Sequence, residues 1–115
     1  MKMIIAIIQP TKLKAVREAL VKIGVERMTV CDALGFGRQR GQTAAYRGIE
    51  YKTHLLRKVE LEIAVNDDFV DRTIETLMHV ARTGPEGNIG DGKIFVLPLE
   101  HATRLSDEVI GPEAV

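Results

Sequence analysis

Residues 58–65 read Lys-Val-Glu-Leu-Glu-Ile-Ala-Val, so that Val59, Leu61, Ile63 and Val65 alternate with Lys58, Glu60, Glu62 and Ala64. Side chains on an extended strand point to opposite faces in turn, and a period of two therefore commits this segment to a sheet with one buried face. The flanking patterns say what the sheet is built from. Met3 to Gln9 is an apolar run stopped by Pro10, which predicts a central strand covered on both faces. Leu13, Val16, Leu20 and Ile23 follow at helical spacing and predict a helix over roughly Lys12 to Ile23, with Thr11 as N-cap and Gly24 as terminator. Met28 to Leu34 is β-prone and predicts a strand that breaks at Gly35-Phe36-Gly37. A second helix is predicted from about Asp67, with Val70, Ile74, Leu77, Met78 and Ala81 on one face and Gly84-Pro85 at its end. Its acids Asp67, Asp68 and Asp71 lie at the N-terminal turn and His79 and Arg82 at the other end, which suits the helix dipole. Lys93 to Leu99 predicts the last strand, and the tail from Glu100 is acidic and weakly patterned.

The resulting order, β-α-β-β-α-β, points to an α+β, ferredoxin-like split sheet with both helices on one face. The opposite face then needs a partner, and apolar side chains there favour a homo-oligomer. The 115 residues suit one domain, and 45% hydrophobic with 28% charged residues suits a packed core rather than a disordered chain. Sixteen Lys and Arg balance sixteen Asp and Glu, so bulk charge argues against histone-like nucleic-acid binding. No apolar run approaches a membrane span, which excludes direct membrane insertion by a helix. A single cysteine, Cys31, excludes an internal disulfide and a cysteine zinc cluster and suits a reducing cytoplasm; inside a predicted strand it reads as a small buried hydrophobe.

Two segments could carry chemistry. Between Gly37 and Lys58 lie six cations, Arg38, Arg40, Arg47, Lys52, Arg57 and Lys58, against the single acid Glu50, a net of +5. A loop of this length in a compact domain is usually functional, and this one fits either an anion-visited loop or a solvated hairpin. Tyr46 and Tyr51 have no obvious core to join there, as contact points, modification points or loop anchors. The second segment, Gly84 to Lys93, has Gly at 84, 87, 90 and 92. Such a loop can turn backbone N–H groups around phosphate oxygens with Lys93 as a cation, or can be an ordinary glycine-rich turn. Gly87 to Lys93 has P-loop spacing, but Ile94 stands where a magnesium-holding Ser or Thr belongs and the loop leads into a strand, which argues against a P-loop NTPase. His54, His79 and His101 lack metal-ligand spacing.

Four ordered blocks make the reading more specific: Gly35-Phe36-Gly37-Arg38-Gln39, Tyr46-Arg47-Gly48-Ile49-Glu50-Tyr51, Lys58-Val59-Glu60-Leu61-Glu62 and Gly90-Asp91-Gly92-Lys93-Ile94-Phe95-Val96. They closely resemble the PII nitrogen-signalling family, over nearly the whole chain to about Arg104. The resemblance implies a single PII-like domain over 1–115, with a T-loop over about 37–57, a B-loop over about 82–93 and a C-terminal loop over about 100–115. It implies a homotrimer that binds ATP or ADP as regulatory ligand between subunits and acts on an ammonium transporter or other nitrogen-regulatory proteins through the T-loop. By position, Thr29, Gly35 and Glu62 resemble the residues around adenine, Gly90, Asp91, Gly92 and Lys93 the phosphate-binding turn, and Arg38 and Arg104 further phosphate contacts, Arg104 from a neighbouring subunit. Gln39 resembles the side chain that contacts magnesium when ATP and 2-oxoglutarate bind together, and Lys58 the cation facing a 2-oxoglutarate carboxylate. Arg47 aligns with the loop-tip arginine that enters an ammonium-channel exit, and Tyr51 with the tyrosine uridylylated in many bacterial members.

This chain departs from the family pattern at several points. Gln9 stands where Lys or Arg is common near 2-oxoglutarate, and Ser106 where a second arginine usually meets phosphates, followed by Asp107 and Glu108. Arg57 replaces a frequent proline, and the B-loop is longer through Pro85-Glu86-Gly87-Asn88. With cations missing, ATP is expected to lose much of its advantage over ADP, and 2-oxoglutarate to bind weakly. A slow ATPase using the glycine-rich loop, and an RNA-binding module of the same topology, are the competing functions. The first lacks an obvious general base, and the second lacks an aromatic platform, Phe95 being the strand aromatic expected.

Overall fold

The alternating run does what its period dictates. In the computed structural model, which describes residues 1–37 and 54–115, the strands are β1 (Lys2–Ile8), β2 (Thr29–Gly37), β3 (His54–Val65) and β4 (Gly92–Pro98), and the helices are α1 (Leu13–Lys22) and α2 (Val70–Ala81). The strands form one sheet in the order β2-β3-β1-β4 with every neighbouring pair antiparallel. This is the expected β-α-β-β-α-β split sheet. Ile4, Ala6 and Ile8 of β1 and Val59, Leu61, Ile63 and Val65 of β3 are buried together with Val16 and Leu20 of α1 and Leu77 and Ala81 of α2, so both helices cover the same face.

Several element boundaries differ from the sequence reading. Pro10 to Lys12 form a short 3-10 turn that starts α1, with the Lys12 amide donating to the Gln9 carbonyl at 3.0 Å; Thr11 is exposed and caps nothing. The fixed φ of Pro10 suits a first helical position, so the residue that ends the strand also begins the helix. Gly24 does terminate α1. At φ +90° it donates its amide to the Val21 carbonyl while Val25 donates to the Leu20 carbonyl at 2.9 Å, which satisfies carbonyls at the helix end.

A 3-10 turn at Asp67–Phe69 leads into α2, which ends at Ala81, before Gly84-Pro85, because Arg82 turns extended. Thr73 rather than Met78 faces the core: Thr73 is fully buried, whereas Met78 is half-exposed. The Thr73 hydroxyl donates to the Phe69 carbonyl at 2.6 Å, one turn back, so its polar group is buried with a partner.

Strand β2 does not break at Gly35-Phe36-Gly37. It stays paired with β3 through Gly35↔Leu56 and Gly37↔His54, which moves the start of β3 from the expected Lys58 to His54. Cross-strand pairing overrides the local preference of glycine for turns. Cys31 is a second correction, since it pairs with Glu60 on the face away from the helices and is only partly buried. The tail has more order than its pattern indicates: Thr103 bridges Ile110, the Arg104 amide donates to the Val109 carbonyl at 2.8 Å, and Pro112–Ala114 form a 3-10 turn.

The register also defines the face that the helices leave open. Across β1 and β4 it carries Met3, Ile5, Ile7, Phe95 and Leu97, and across β2 and β3 Thr29, Cys31, Lys58, Glu60 and Glu62. Ile5 and Ile7 are partly buried in the single chain, while Phe95 and Leu97 keep 48% and 43% of their surface, so β1 is covered on one face rather than two. Phe36 adds a strand aromatic that the sequence reading did not place, but it lies on the parity of Leu55, opposite to Phe95. Among the described residues no strand face presents an aromatic pair of the kind an RNA platform uses. No described helix is long and apolar enough to cross a membrane.

Leu61 sits fully buried at the centre of the helix-covered face. Leu61→Ala is expected to lower unfolding stability by about 2–5 kcal/mol. Denaturant melts check this, with a lower midpoint at unchanged slope as the expected result.

Candidate functional site

The antiparallel registers place side chains from distant parts of the sequence in rows across the open face. One row runs Cys31, Glu60, Ile7, Lys93, and the next Thr29, Glu62, Ile5, Phe95. On the other side of the Cys31 row Lys58 pairs with Ala33, and Gly35 pairs with Leu56 beyond it. Thr29, Gly35, Lys58, Glu62 and Lys93, chosen from the sequence over more than sixty positions, therefore share one face of one sheet. Lys93 is exposed there, where its ammonium can meet an anion.

The glycine-rich segment before β4 is ordered by a carboxylate pointing inward. Asp91 Oδ2 accepts hydrogen bonds from the amides of Thr83 at 2.9 Å and Asn88 at 2.8 Å, and Oδ1 accepts from the Thr83 hydroxyl at 2.6 Å. Burial alone would raise the Asp91 pKa, but these donors, with a smaller contribution from Lys12, hold the carboxyl below its ordinary value. Asp91 thus fastens the loop to itself instead of facing outward. The loop then joins the sheet at Gly92, whose φ is +112° and whose missing Cβ would fall 1.6 Å from the Ile7 carbonyl oxygen. Only glycine fits that close approach between loop and β1.

The same loop is tied down at Gly90. Its carbonyl accepts from Gln9 Nε2 at 2.7 Å and from Lys58 Nζ at 2.5 Å. Ile8 pairs with Val59 on one side and Gly92 on the other, so Gln9, one residue further, falls beside Lys58 and under the loop.

Arg104 lies elsewhere. Strand β4 runs for seven residues away from the loop, about 20 Å, before the chain reaches the C-terminal segment. There the Arg104 guanidinium is held by Asp107 through Nε at 2.9 Å and Nη2 at 2.7 Å, and Nη1 donates to the Glu113 carbonyl at 3.3 Å. The hydrogen bonds and charge of this pair push the Arg104 pKa up and the Asp107 pKa down. Within one chain Arg104 is not brought to Gly90–Lys93. Arg38, Gln39, Arg47 and Tyr51 lie outside the described residues, as do Tyr46 and most of the segment read as the T-loop.

For a metal ion, Cys31, Glu60 and Glu62 are the group among the described residues that brings ligand atoms within 4.8 Å of one another. Desolvation and the neighbouring Glu62 and Glu60 charges push the Cys31 thiol up, so it is held protonated and weakly nucleophilic. The features that sequence reasoning missed are contacts rather than residue types. Gln9 stood out only as a missing cation, and Asp91 only as a phosphate-turn residue, because sequence does not show that Gln9 donates to the Gly90 carbonyl or that Thr83 and Asn88 donate to Asp91.

The fastening by Asp91 has a defined pH dependence. Its folded pKa lies below the unfolded one, so its stabilising effect is complete above the ordinary carboxylate range and is lost as pH falls through the folded value. The protection factors of the Thr83 and Asn88 amides, which divide out the intrinsic pH dependence of exchange, should accordingly fall as pH drops through the folded Asp91 value and stay flat above the ordinary carboxylate range. Asp91→Asn leaves one acceptor oxygen for three donors and is expected to accelerate the same amides about ten-fold at neutral pH, the equivalent of one net hydrogen bond.

Comparison with known proteins gives this arrangement a family. The family described as nitrogen regulatory protein P-II matches residues 1–109. The chain is 48% identical over 115 residues to nitrogen regulatory protein GlnK1 of Methanosarcina mazei, covering all of this chain and 97% of that protein. It is 47% identical over 115 residues to nitrogen regulatory protein P-II of Rhizobium etli, covering all of both chains. Against nitrogen regulatory protein P-II 1 of Escherichia coli it is 50% identical over 105 residues, 91% of each chain. With a split sheet of the expected order and a match along almost its entire length, the chain belongs to the P-II family of nitrogen-regulatory signalling proteins.

Proposed function

We propose that this protein is a homotrimeric, non-enzymatic sensor of adenine nucleotides that passes its state to target proteins in the cytoplasm. The observation that carries the reading is the meeting, on one open sheet face, of Thr29, Glu62, Lys58 and Lys93 beside a glycine-rich loop whose own acid, Asp91, is already satisfied by Thr83 and Asn88. A nucleotide laid on this face has Thr29, Gly35 and Glu62 for adenine and Gly90, Gly92 and Lys93 for phosphates. Asp91 shapes the turn, its carboxylate directed at internal N–H and O–H donors rather than toward the phosphates.

The apolar strip of Met3, Ile5, Ile7, Phe95 and Leu97 supports assembly, because such a strip on a monomer is costly to leave in water. Three copies related by a closed rotation would cover it and bring a neighbour's Arg104 toward the phosphates. For that, the guanidinium has to exchange Asp107 for phosphate. With Ser106 supplying no second charge, ATP gains little over ADP.

The loop between β2 and β3 is the output. A nucleotide can switch it only by binding its conformations with different affinity. In this reading Arg38 adds a phosphate contact, Gln39 a magnesium contact when ATP and 2-oxoglutarate are both present, Arg47 a contact to an ammonium transporter or another nitrogen-regulatory partner, and Tyr51 a site for modification.

Calorimetric titration with ATP, ADP and AMP, with and without magnesium and 2-oxoglutarate, tests the proposal. Lys93→Ala is expected to weaken ATP about ten-fold or more, as loss of a charge-assisted contact of roughly 1.5–3 kcal/mol implies. Unchanged affinity in that variant would move the phosphates elsewhere. Light scattering is expected to give three times the chain mass across micromolar concentrations, and a persistent monomer would remove the shared cleft.

A further inference from the structure

The C-terminal hairpin presents an apolar side chain that its own chain leaves uncovered. Leu105 keeps 95% of its surface. The turn that carries it is fastened: Thr103 bridges Ile110, the Glu108 amide donates to the Arg104 carbonyl at 2.9 Å, and the Arg104 guanidinium holds Asp107. Glu108 itself sits at φ +60°, a conformation uncommon outside glycine. A side chain offered on a fastened turn loses little further freedom when it binds, so its burial is retained as affinity.

A recess of matching character lies along the last strand. Strand β4 pairs with β1 alone, and between this edge strand and α2 a cavity of about 400 Å³ is lined by Ile74, Met78, Arg82, Lys93, Ile94 and Val96. Met78 and Val96 are half-exposed there. The walls are apolar and the rim is cationic, because Asp91, the acid of the lining, is turned to Thr83 and Asn88. Glu108 is an exposed acid on the same turn as Leu105, so the hairpin brings a charge that suits Arg82 and Lys93.

Within one chain Leu105 lies outside this recess, as its exposure shows. A contact between two different patches of identical chains is heterologous, and it closes into a ring when each copy gives one Leu105 and takes one. Adjacent Cα atoms are about 3.8 Å apart, and successive side chains of an extended segment diverge. A neighbour's Arg104 aimed at the phosphate turn therefore leaves its Leu105 beside the recess of which Lys93 is one wall. We infer that Leu105 anchors the contact between copies: it seats in the recess between α2 and β4 of the next chain and so positions Arg104 over that chain's Gly90–Lys93 turn. The positioning rests on the reading of a shared nucleotide cleft, and the seating rests only on the association of copies.

The full-length chain serves for both halves of the test. In a Cys31→Ser background, Leu105→Cys combined with Met78→Cys is treated with a short bismaleimide and run on a denaturing gel. Linked two-chain and three-chain species are expected, and neither single substitution should give them. Single-chain bands alone, from protein that light scattering shows to be a trimer, overturn the seating; a monomeric wild type removes the trimer reading and the seating with it. In calorimetry, Leu105→Ala is expected to weaken ATP about ten-fold, as far as Arg104→Ala does, and the double variant to be no weaker than either alone. Leu105→Met conserves the buried volume and should restore wild-type affinity. Wild-type affinity in Leu105→Ala, losses that add in the double variant, or no recovery with methionine overturns the positioning. If ATP binds neither the wild type nor any variant, the nucleotide reading fails, and with it the positioning, while the cross-link still decides the seating.

Discussion

The pairing of β1 with β3 on one side and β4 on the other is the constraint from which the site follows. Ile8 has Val59 as one neighbour and Gly92 as the other, and these registers fix where the chain must go next. Gln9 emerges beside Lys58, and the glycine-rich loop must enter the sheet over both. Shifting β3 by one residue would send Lys58 and Glu62 to the helix-covered face and expose Leu61 and Ile63, and shifting β4 would send Lys93 there, which burial of the core forbids. Hydrophobic burial on one face therefore positions polar chemistry on the other.

Electrostatics then divides the site by role. Asp91 spends its charge inside the loop on Thr83 and Asn88, and Asp107 spends its charge on Arg104 in the C-terminal segment. The two acids look alike in sequence but act in opposite senses for an anionic ligand. Asp91 fixes the turn while leaving Lys93 exposed, whereas Asp107 engages a cation that the family pattern directs at phosphate. Lys58 lies between these cases, since its ammonium is held by a neutral carbonyl, that of Gly90.

Much of the fold was legible because strong periodicity is a local record of burial. The runs at 3–9, 13–23, 28–34, 58–65, 70–81 and 93–99 carried the element order, and the glycine at 24 a helix end whose φ of +90° few other residues adopt. Legibility failed where a partner from elsewhere in the chain outweighs local preference. Gly35 and Gly37 read as a break but are held in β2 by Leu56 and His54. Met78 read as part of the apolar helix face, but Thr73 takes the buried place, its hydroxyl donating to the Phe69 carbonyl. Cys31 read as core because its neighbours are β-prone, although register alone decides which face it takes.

For the site, the sequence by itself determined the residue types and the family: the glycines at 90 and 92, the lysines at 58 and 93, the acid at 62 and the blocks that link them. It also determined that one sheet face would be apolar and covered, since that follows from a period of two. Which side chains meet was decided only by the tertiary structure. That Gln9 and Lys58 share one carbonyl, that Asp91 turns inward and that Arg104 turns to Asp107 depend on distances between segments far apart in the chain. A hydrogen bond is set by ångströms and angles, and sequence spacing fixes these only within a single turn or strand.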